Sequence, residues 1–386
     1  MTTAADTCAA AALLRATSGS VLVRGGGTAM EWAGRVKTPD LVLDTSTMTG
    51  LLTHNPADLT ASVRAGTRLD DLQQELARDG QWLAFDPPAA GLGATVGGLL
   101  AAGDSGPARL RYGALRDLVI GVTLVLADGT VGRSGGHVIK NVAGYDLAKL
   151  AYGSLGSLAV ITEVVVRLHP LPATTSTLSA PCSARAAQEV TLALLASPLE
   201  PAALEWCDEQ MLVRLEGTEV AVGAAADGVR ALLADHGLPP ERLDGPAADG
   251  AWRQQRAAVL GSADETVLRV AARPGDLHEL LTTATAAARL YGVTVHAASS
   301  TGLGLTTLRL AGPEDALSGV ASTVEAVRAV ASRLGGSALL RRRPTGLDAL
   351  VDPLGPPPST LALLRRIKDA FDPDGRLAPG RFHPWY

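Results

Sequence analysis

The first 172 residues alternate short apolar, β-favouring runs with glycine and proline, a pattern that predicts strands at 20–24, 41–43 and 60–63. Between 67 and 79, Leu69, Leu72 and Leu76 recur at helical spacing while Asp70, Asp71, Gln73, Gln74 and Glu75 face water, so a helix is expected there, ended by Gly80. Residues 118–126 read as a strand closed by the turn signal Asp128-Gly129, and 159–168 alternate into another strand before His169-Pro170-Leu171-Pro172. From 173 the rhythm changes. Helices at 186–196, 224–235, 276–290 and 316–334 interleave with strands at 211–215, 266–272, 293–296 and 306–310 and a short edge strand at 338–342. The alternation predicts an α+β layer with helices on one face of an antiparallel sheet, and a last helix is expected at 360–371.

A length of 386 residues suits two or three domains at roughly 150 residues each. The net charge of −5, with no long basic block, argues against nucleic acid as a partner. Cys8, Cys182 and Cys207 are far apart and odd in number, so they form no disulfide framework, and an iron–sulfur cluster, which needs about four thiolates, cannot be held by this chain alone. The histidines show no HExxH or HxxxH spacing, and no protein-built metal site is expected. Asp117 and Asp128 bound one apolar run and Glu189 and Glu200 the next, both short of the ~20 residues of a membrane span. With an acid near the N-terminus where a signal peptide carries positive charge, a cytoplasmic location is expected.

Three glycine-rich segments hold the candidate chemistry. Val21-Leu22-Val23-Arg24-Gly25-Gly26-Gly27-Thr28 runs a strand into three glycines, whose amides converge on an anion without Cβ interference, although an ordinary tight turn reads the same way. It matches neither GxGxxG nor a P-loop. Residues 85–113 contain Asp86-Pro87-Pro88, Thr95-Val96-Gly97-Gly98, Gly103-Asp104-Ser105-Gly106 and Arg111-Tyr112-Gly113, a density of small residues costly in chain entropy unless a ligand returns the free energy. The third segment is Lys140-Asn141-Val142-Ala143-Gly144-Tyr145-Asp146-Leu147, followed by Gly153-Ser154-Leu155-Gly156.

In order and spacing, these three segments resemble the FAD-binding domain of the vanillyl-alcohol oxidase and p-cresol methylhydroxylase (PCMH) superfamily, and the third is most similar to its glycolate-type 2-hydroxy-acid dehydrogenase branch. The C-terminal Phe371-Asp372-Pro373-Asp374-Gly375-Arg376-Leu377-Ala378-Pro379-Gly380-Arg381 is similar to the closing motif of the same family, with Ala378 where an Asn is usual. The resemblance implies an α+β fold: a PCMH-type FAD-binding domain of two α+β subdomains at 1–172, a smaller α+β cap domain with an antiparallel sheet at 173–358, and a C-terminal helix and tail at 359–386 returning to the first domain. It implies further that Arg24, Gly25, Gly26, Gly27 and Thr28 wrap the FAD pyrophosphate. Thr95, Gly97, Gly98, Ser105 and Gly106 would lie along the pyrophosphate, ribityl chain and ring. Gly156 and the backbone of Val160 and Ile161 would close over the nucleotide half. Relatives that tether flavin through a histidine after the glycines have it where this chain has Thr28, and no cysteine lies between 9 and 181, so non-covalent FAD is expected.

Oxidation of a 2-hydroxy acid needs a cation for the carboxylate and a group for the hydroxyl proton. Alternation along 338–342 would put Arg341 and Arg343 on one face as carboxylate ligands, or as a solvated basic edge. His278 and His296 lack partners at ligand spacing, and no catalytic residue is assigned. By the resemblance Lys140, Asn141, Tyr145 and Asp146 are expected to border the flavin, or else to stabilise a loop. The expectation is an FAD subunit of a glycolate-type 2-hydroxy-acid dehydrogenase passing electrons to partners. By the resemblance these are a second FAD subunit with catalytic histidines and an iron–sulfur subunit. A non-catalytic assembly or electron-relay subunit and a stand-alone FAD-dependent alcohol oxidase are the alternatives.

Overall fold

The computed structural model describes residues 1–138, 144–312 and 317–386, and among them the strands form sheets of eight, five and three strands and a two-stranded pair. Helix α1 (Thr7–Ala16) starts at Asp6, whose carboxylate accepts from the Ala9 amide. Strands β1 (Val21–Arg24) and β2 (Leu41–Asp44) pair in parallel, and residues 2–3 extend that sheet. The five-stranded sheet contains β3 (Leu51–Asn55), β4 (Thr60–Arg64), β5 (Val119–Val125), β6 (Val131–Gly135) and β7 (Val160–Arg167) in the order β3-β4-β7-β5-β6. Helices α2 (Leu69–Ala77) and α3 (Val96–Ala102) supply Leu72, Leu76, Leu99 and Leu100 to its core, with Val63 and Val164 from the sheet and Leu118 from a short helix at Leu115–Leu118. A smaller core joins α1 to the three-stranded sheet through Leu14, Val21, Leu43, Val125 and Val160.

After the pairing of His169 with Trp82, the chain enters the eight-stranded antiparallel sheet. Its elements are β8 (Thr174–Pro181), α4 (Ala184–Leu195), β9 (Ala203–Cys207), β10 (Gln210–Gly217), α5 (Glu219–Asp235), β11 (Glu241–Leu243), α6 (Pro246–Leu260), β12 (Thr266–Ala271), α7 (Leu277–Leu290), β13 (Thr294–Ser300), β14 (Leu305–Ala311), α8 (Leu317–Arg333) and β15 (Ser337–Arg342). The order is β11-β8-β10-β9-β13-β14-β12-β15, which leaves β15 at an edge. Apolar residues such as Leu204, Val213, Leu268, Val270, Leu308 and Leu340 meet Val190, Val229, Leu280 and Val324 of the helices in one core. One helix departs from the one-faced layer expected from sequence. α6 lies against the opposite face, where Ala258 and Val259 pack on Cys207 and Ala298. It buries only Gln255, Ala258 and Val259, and Gln255 reaches the Glu205 carboxyl group, so its sequence carries little apolar periodicity.

That second face is polar. Arg214 and Glu216 of β10, Glu205 of β9 and Arg269 of β12 occupy alternate strand positions turned away from the helix core. The face meets the glycine-rich segment: Arg214 pairs with Asp86 (2.9 Å) and Glu216 (2.9 Å), and the Tyr112 hydroxyl donates to Glu216 (2.8 Å). The tail returns after α9 (Leu361–Phe371), where the Val21 amide donates to the Arg376 carbonyl and the Ala378 amide to the Val21 carbonyl. The Arg376 guanidinium donates to the carbonyls of Leu14 (3.1 Å), Gly19 (3.2 Å) and Ala127 (2.5 Å), tying the two chain ends together. None of the helices is long and apolar enough to cross a membrane, among the described residues.

Burial pushes the Glu205 carboxyl up to about 8, only partly offset by the Ser300 hydroxyl. From the ordinary carboxyl range to about pH 8 the folded chain therefore keeps a proton that the unfolded chain releases, so this group's contribution to stability falls as pH rises. We expect Glu205→Gln, compared with the parent by chemical denaturation, to gain relative stability on the order of 3 kcal/mol between pH 5 and pH 8. A difference independent of pH would contradict this.

Candidate functional site

A cleft opens between β1, the N-terminal end of α3 and the loop before β7. Gly25, Gly26, Gly27, Thr28, Thr95, Gly97, Gly98, Gly156 and Ile161 line it together. The amides of Gly26, Gly27 and Thr28 have no acceptor among the described residues, so the loop presents a row of unpaired donors. The loop is pressed close to its neighbours: a Cβ on Gly26 would lie 2.0 Å from the Gly93 carbonyl oxygen. Across the cleft Leu155 adopts φ +50°, a left-handed conformation rare for leucine, and Gly156 follows at φ +74°.

Thr95, Gly97 and Gly98 contribute differently. Their segment starts α3, with the Thr95 hydroxyl accepting from the Gly98 amide and the Gly97 amide spent on the Ala65 carbonyl. They line the cleft as a close, side-chain-poor wall. Arg24 borders an adjoining cleft, and Val160 directs its side chain into the small core. Ser105 and Gly106 border neither cleft. The Ser105 hydroxyl accepts from Arg109 (3.3 Å), and a Cβ on Gly106 would meet the Asp86 carbonyl oxygen at 1.8 Å. Lys140 and Asn141 lie outside the described residues; Tyr145 is exposed, and Asp146 caps a short helix at the Lys149 amide.

Reading the sequence left out Thr45, Ala101, Ala102, Leu155 and Arg381, which also line the first cleft. Leu155 had a signal in Gly153-Ser154-Leu155-Gly156, and Arg381 in the closing Pro-Gly-Arg. Its guanidinium, pushed down to about 10 by burial and by Arg343, donates to the carbonyls of Met30 (2.8 Å), Trp32 (2.7 Å) and Gly34 (3.2 Å) and so fixes the loop after the glycines.

The adjoining cleft, about 1050 Å³, shares Gly27, Thr28 and Met30 with the first and is bordered by Trp32, Asp104, Val267, Arg341 and Arg342. Arg341 stacks on Trp32, its guanidinium carbon 3.8 Å from the ring centroid, and donates to Asp104 (3.0 Å). Arg343 lies beyond the end of β15, so alternation does not place it beside Arg341. It is buried on the Asp348 carboxylate and donates to the Glu31 carbonyl (3.0 Å). Behind Arg341, Arg269 is nearly fully buried, donates to the Thr307 hydroxyl (2.7 Å), and is pushed down to about 10 by burial and by Arg341. His278 and His296 border a groove beside Trp206 that shares no lining residue with either cleft.

The first cleft fits a dinucleotide. It combines unpaired amides for a pyrophosphate, glycines packed so closely on Thr95, Gly93 and Ala65 that a Cβ would clash there, and apolar Ala101, Ala102 and Ile161 for an uncharged portion. Residues 1–135 match the family model described as FAD binding domain, and 356–382 match the one described as FAD linked oxidases, C-terminal domain. The chain is 36% identical over 206 residues to glycolate oxidase subunit GlcE of Escherichia coli (strain K12), covering 53% of this chain and 59% of that one. It is 33% identical over 225 residues to glycolate oxidase subunit GlcD of Bacillus subtilis (strain 168), covering 58% and 47%. The match thus spans about half the length of these curated relatives. Among solved structures, p-cresol methylhydroxylase with substrate bound superposes with a TM-score of 0.74 at 18% identity, covering 98% of this chain and 88% of that one. Residues 1–135 thus match an FAD binding domain and 356–382 the C-terminal domain of FAD linked oxidases, in an α+β fold shared with p-cresol methylhydroxylase.

Proposed function

We propose that this chain is the FAD-binding subunit of a glycolate-type 2-hydroxy-acid dehydrogenase, a cytoplasmic oxidoreductase acting on a CH–OH group and passing electrons to partner subunits. The observation that carries the reading is the row of unpaired amides at Gly26, Gly27 and Thr28, opening directly into a cleft that presents Arg341. The similarity to two different glycolate oxidase subunits supports the substrate class and a multi-subunit assembly. In this reading the partners are a second FAD subunit bearing catalytic histidines and an iron–sulfur subunit. Residues 1–172 with 359–386 form the FAD unit, and 173–358 form the cap.

The roles follow from the contacts. Arg24 borders the second cleft, and Gly25, Gly26, Gly27 and Thr28 hold the pyrophosphate with main-chain donors. Thr95, Gly97, Gly98, Gly156 and Ile161 enclose the cofactor, and Val160 contributes only backbone. Ser105 and Gly106 brace the loop that carries Asp104. With Thr28 in the loop and Cys8, Cys182 and Cys207 outside the cleft lining, FAD is held without a covalent bond. When bound, FAD supplies a two-electron acceptor, while the protein supplies orientation and charge. Arg341 offers a carboxylate a planar cation fixed by Trp32, and Arg343 holds Glu31, the residue before that tryptophan.

The purified chain is expected to carry close to one FAD, released on denaturation. Ala102→Phe, which fills the first cleft, is expected to lower FAD per chain severalfold with an unchanged circular dichroism spectrum. Equal FAD content in the two would contradict the placement. Under anaerobic conditions glycolate or another small 2-hydroxy acid should bleach the flavin band of the chain, alone or with its partner subunits. Arg341→Met should raise the half-saturating concentration about 30-fold, the loss of one charged hydrogen-bonded contact. A flavin that no 2-hydroxy acid bleaches, even in the assembled complex, would refute the reading.

A further inference from the structure

Asp104 follows Gly103, the left-handed residue that ends α3, and its carboxylate is 3% exposed at the edge of the cleft that holds Arg341. One oxygen, Oδ1, accepts from Arg341 at 3.0 Å; Oδ2 has no donor among the described residues. Three guanidinium groups gather at this point. Arg341 and Arg269 come from the cap sheet, and Arg109 comes from the glycine-rich segment, where it donates to Ser105. The acids facing them are Asp104 and Glu205. Arg214, with Asp86 and Glu216, adjoins Glu205, so charges of both signs meet here, and Arg341 is the cation that borders the cleft a further anion can enter.

We propose that Asp104 is a catalytic residue, the acceptor of the substrate's C2 hydroxyl proton; this rests on the 2-hydroxy-acid reading above. A guanidinium has five N–H donors, so Arg341 can keep Asp104 on one and take a carboxylate on others. The C2 hydroxyl is one carbon away from that carboxylate. The guanidinium that seats the acid therefore brings its hydroxyl toward the carboxylate it already holds, within the reach of about 2.6–3.2 Å that proton transfer requires. Arg269 and Arg109 offset the second negative charge that the substrate brings beside Asp104. The step balances as a two-electron oxidation. The O–H proton passes to the Asp104 carboxylate, the C2–H leaves with its electron pair as hydride to the bound flavin, the named oxidant, and the C2–O bond becomes the carbonyl of a 2-oxo acid.

The test compares the FAD-loaded parent and Asp104→Asn, with partner subunits where the parent needs them, by flavin bleaching and by calorimetric binding of oxalate, an anion with no C2 hydroxyl. The proposal expects bleaching to slow at least about 100-fold, with oxalate bound as tightly as by the parent or severalfold more tightly, because a like charge is gone. Asp104→Ser should behave the same way and serves as the second variant if the amide disturbs folding. Bleaching of the variant at the parent rate overturns the proposal alone. Parallel loss of oxalate binding and bleaching also overturns it, since Asp104 would then only hold Arg341 in place. A parent that binds oxalate but is bleached by no 2-hydroxy acid removes the preceding reading, and this one with it.

Discussion

The structure depends on a short stretch of backbone, residues 26–28, whose amides make no hydrogen bonds among the described residues. Where β1 ends, the amides of Gly26, Gly27 and Thr28 face a cleft without acceptors, while Arg381 draws the following loop in by three carbonyls. Gly26 and Gly27 are half-buried and Thr28 is exposed, so the donors are accessible to an anion, which can take hydrogen bonds from all three at once. Much of the surrounding fold keeps that loop open. The tail pairs with Val21, Gly26 is pressed against the Gly93 carbonyl, and α3 backs the cleft with small residues.

The second organising feature is charge between the two halves of the molecule. The eight-stranded sheet turns its polar face to the glycine-rich segment, and Arg214 binds Asp86 there while the Glu216 carboxylate takes both Arg214 and the Tyr112 hydroxyl. Burial and that carboxylate push Tyr112 up to about 12, so it remains a hydrogen-bond donor at any physiological pH. Arg341 and Asp104 repeat the device at the mouth of the second cleft. The ion pairs that join the halves thus lie beside the groups proposed to meet substrate.

Much of the fold was legible because its elements carry strong periodicity. The helix at 67–79 appears as α2, and the strands at 118–126 and 159–168 appear as β5 and β7 within a residue or two at either end. What sequence did not show follows from weak local signals. α1 is so rich in alanine that its apolar stripe hardly contrasts with its other faces, and α6 buries little apolar surface. β9 went unread because Glu205 interrupts an otherwise apolar run, yet that break marks the polar face of the sheet. For the same reason neither Arg269, one charge within a buried strand, nor Asp104, one polar residue among small ones, stands out in the sequence. The glycine loop was legible because backbone chemistry leaves a compositional trace. Side chains brought together from distant strands leave none until the register is known.

The most direct measurement is amide hydrogen exchange on the peptide covering 24–30, with and without FAD. Amides that donate to a bound pyrophosphate should exchange markedly more slowly in the FAD-loaded chain, and ADP added to the apo chain should reproduce part of that protection. Exchange through 26–28 that is unchanged by FAD, with protection elsewhere, would contradict the account.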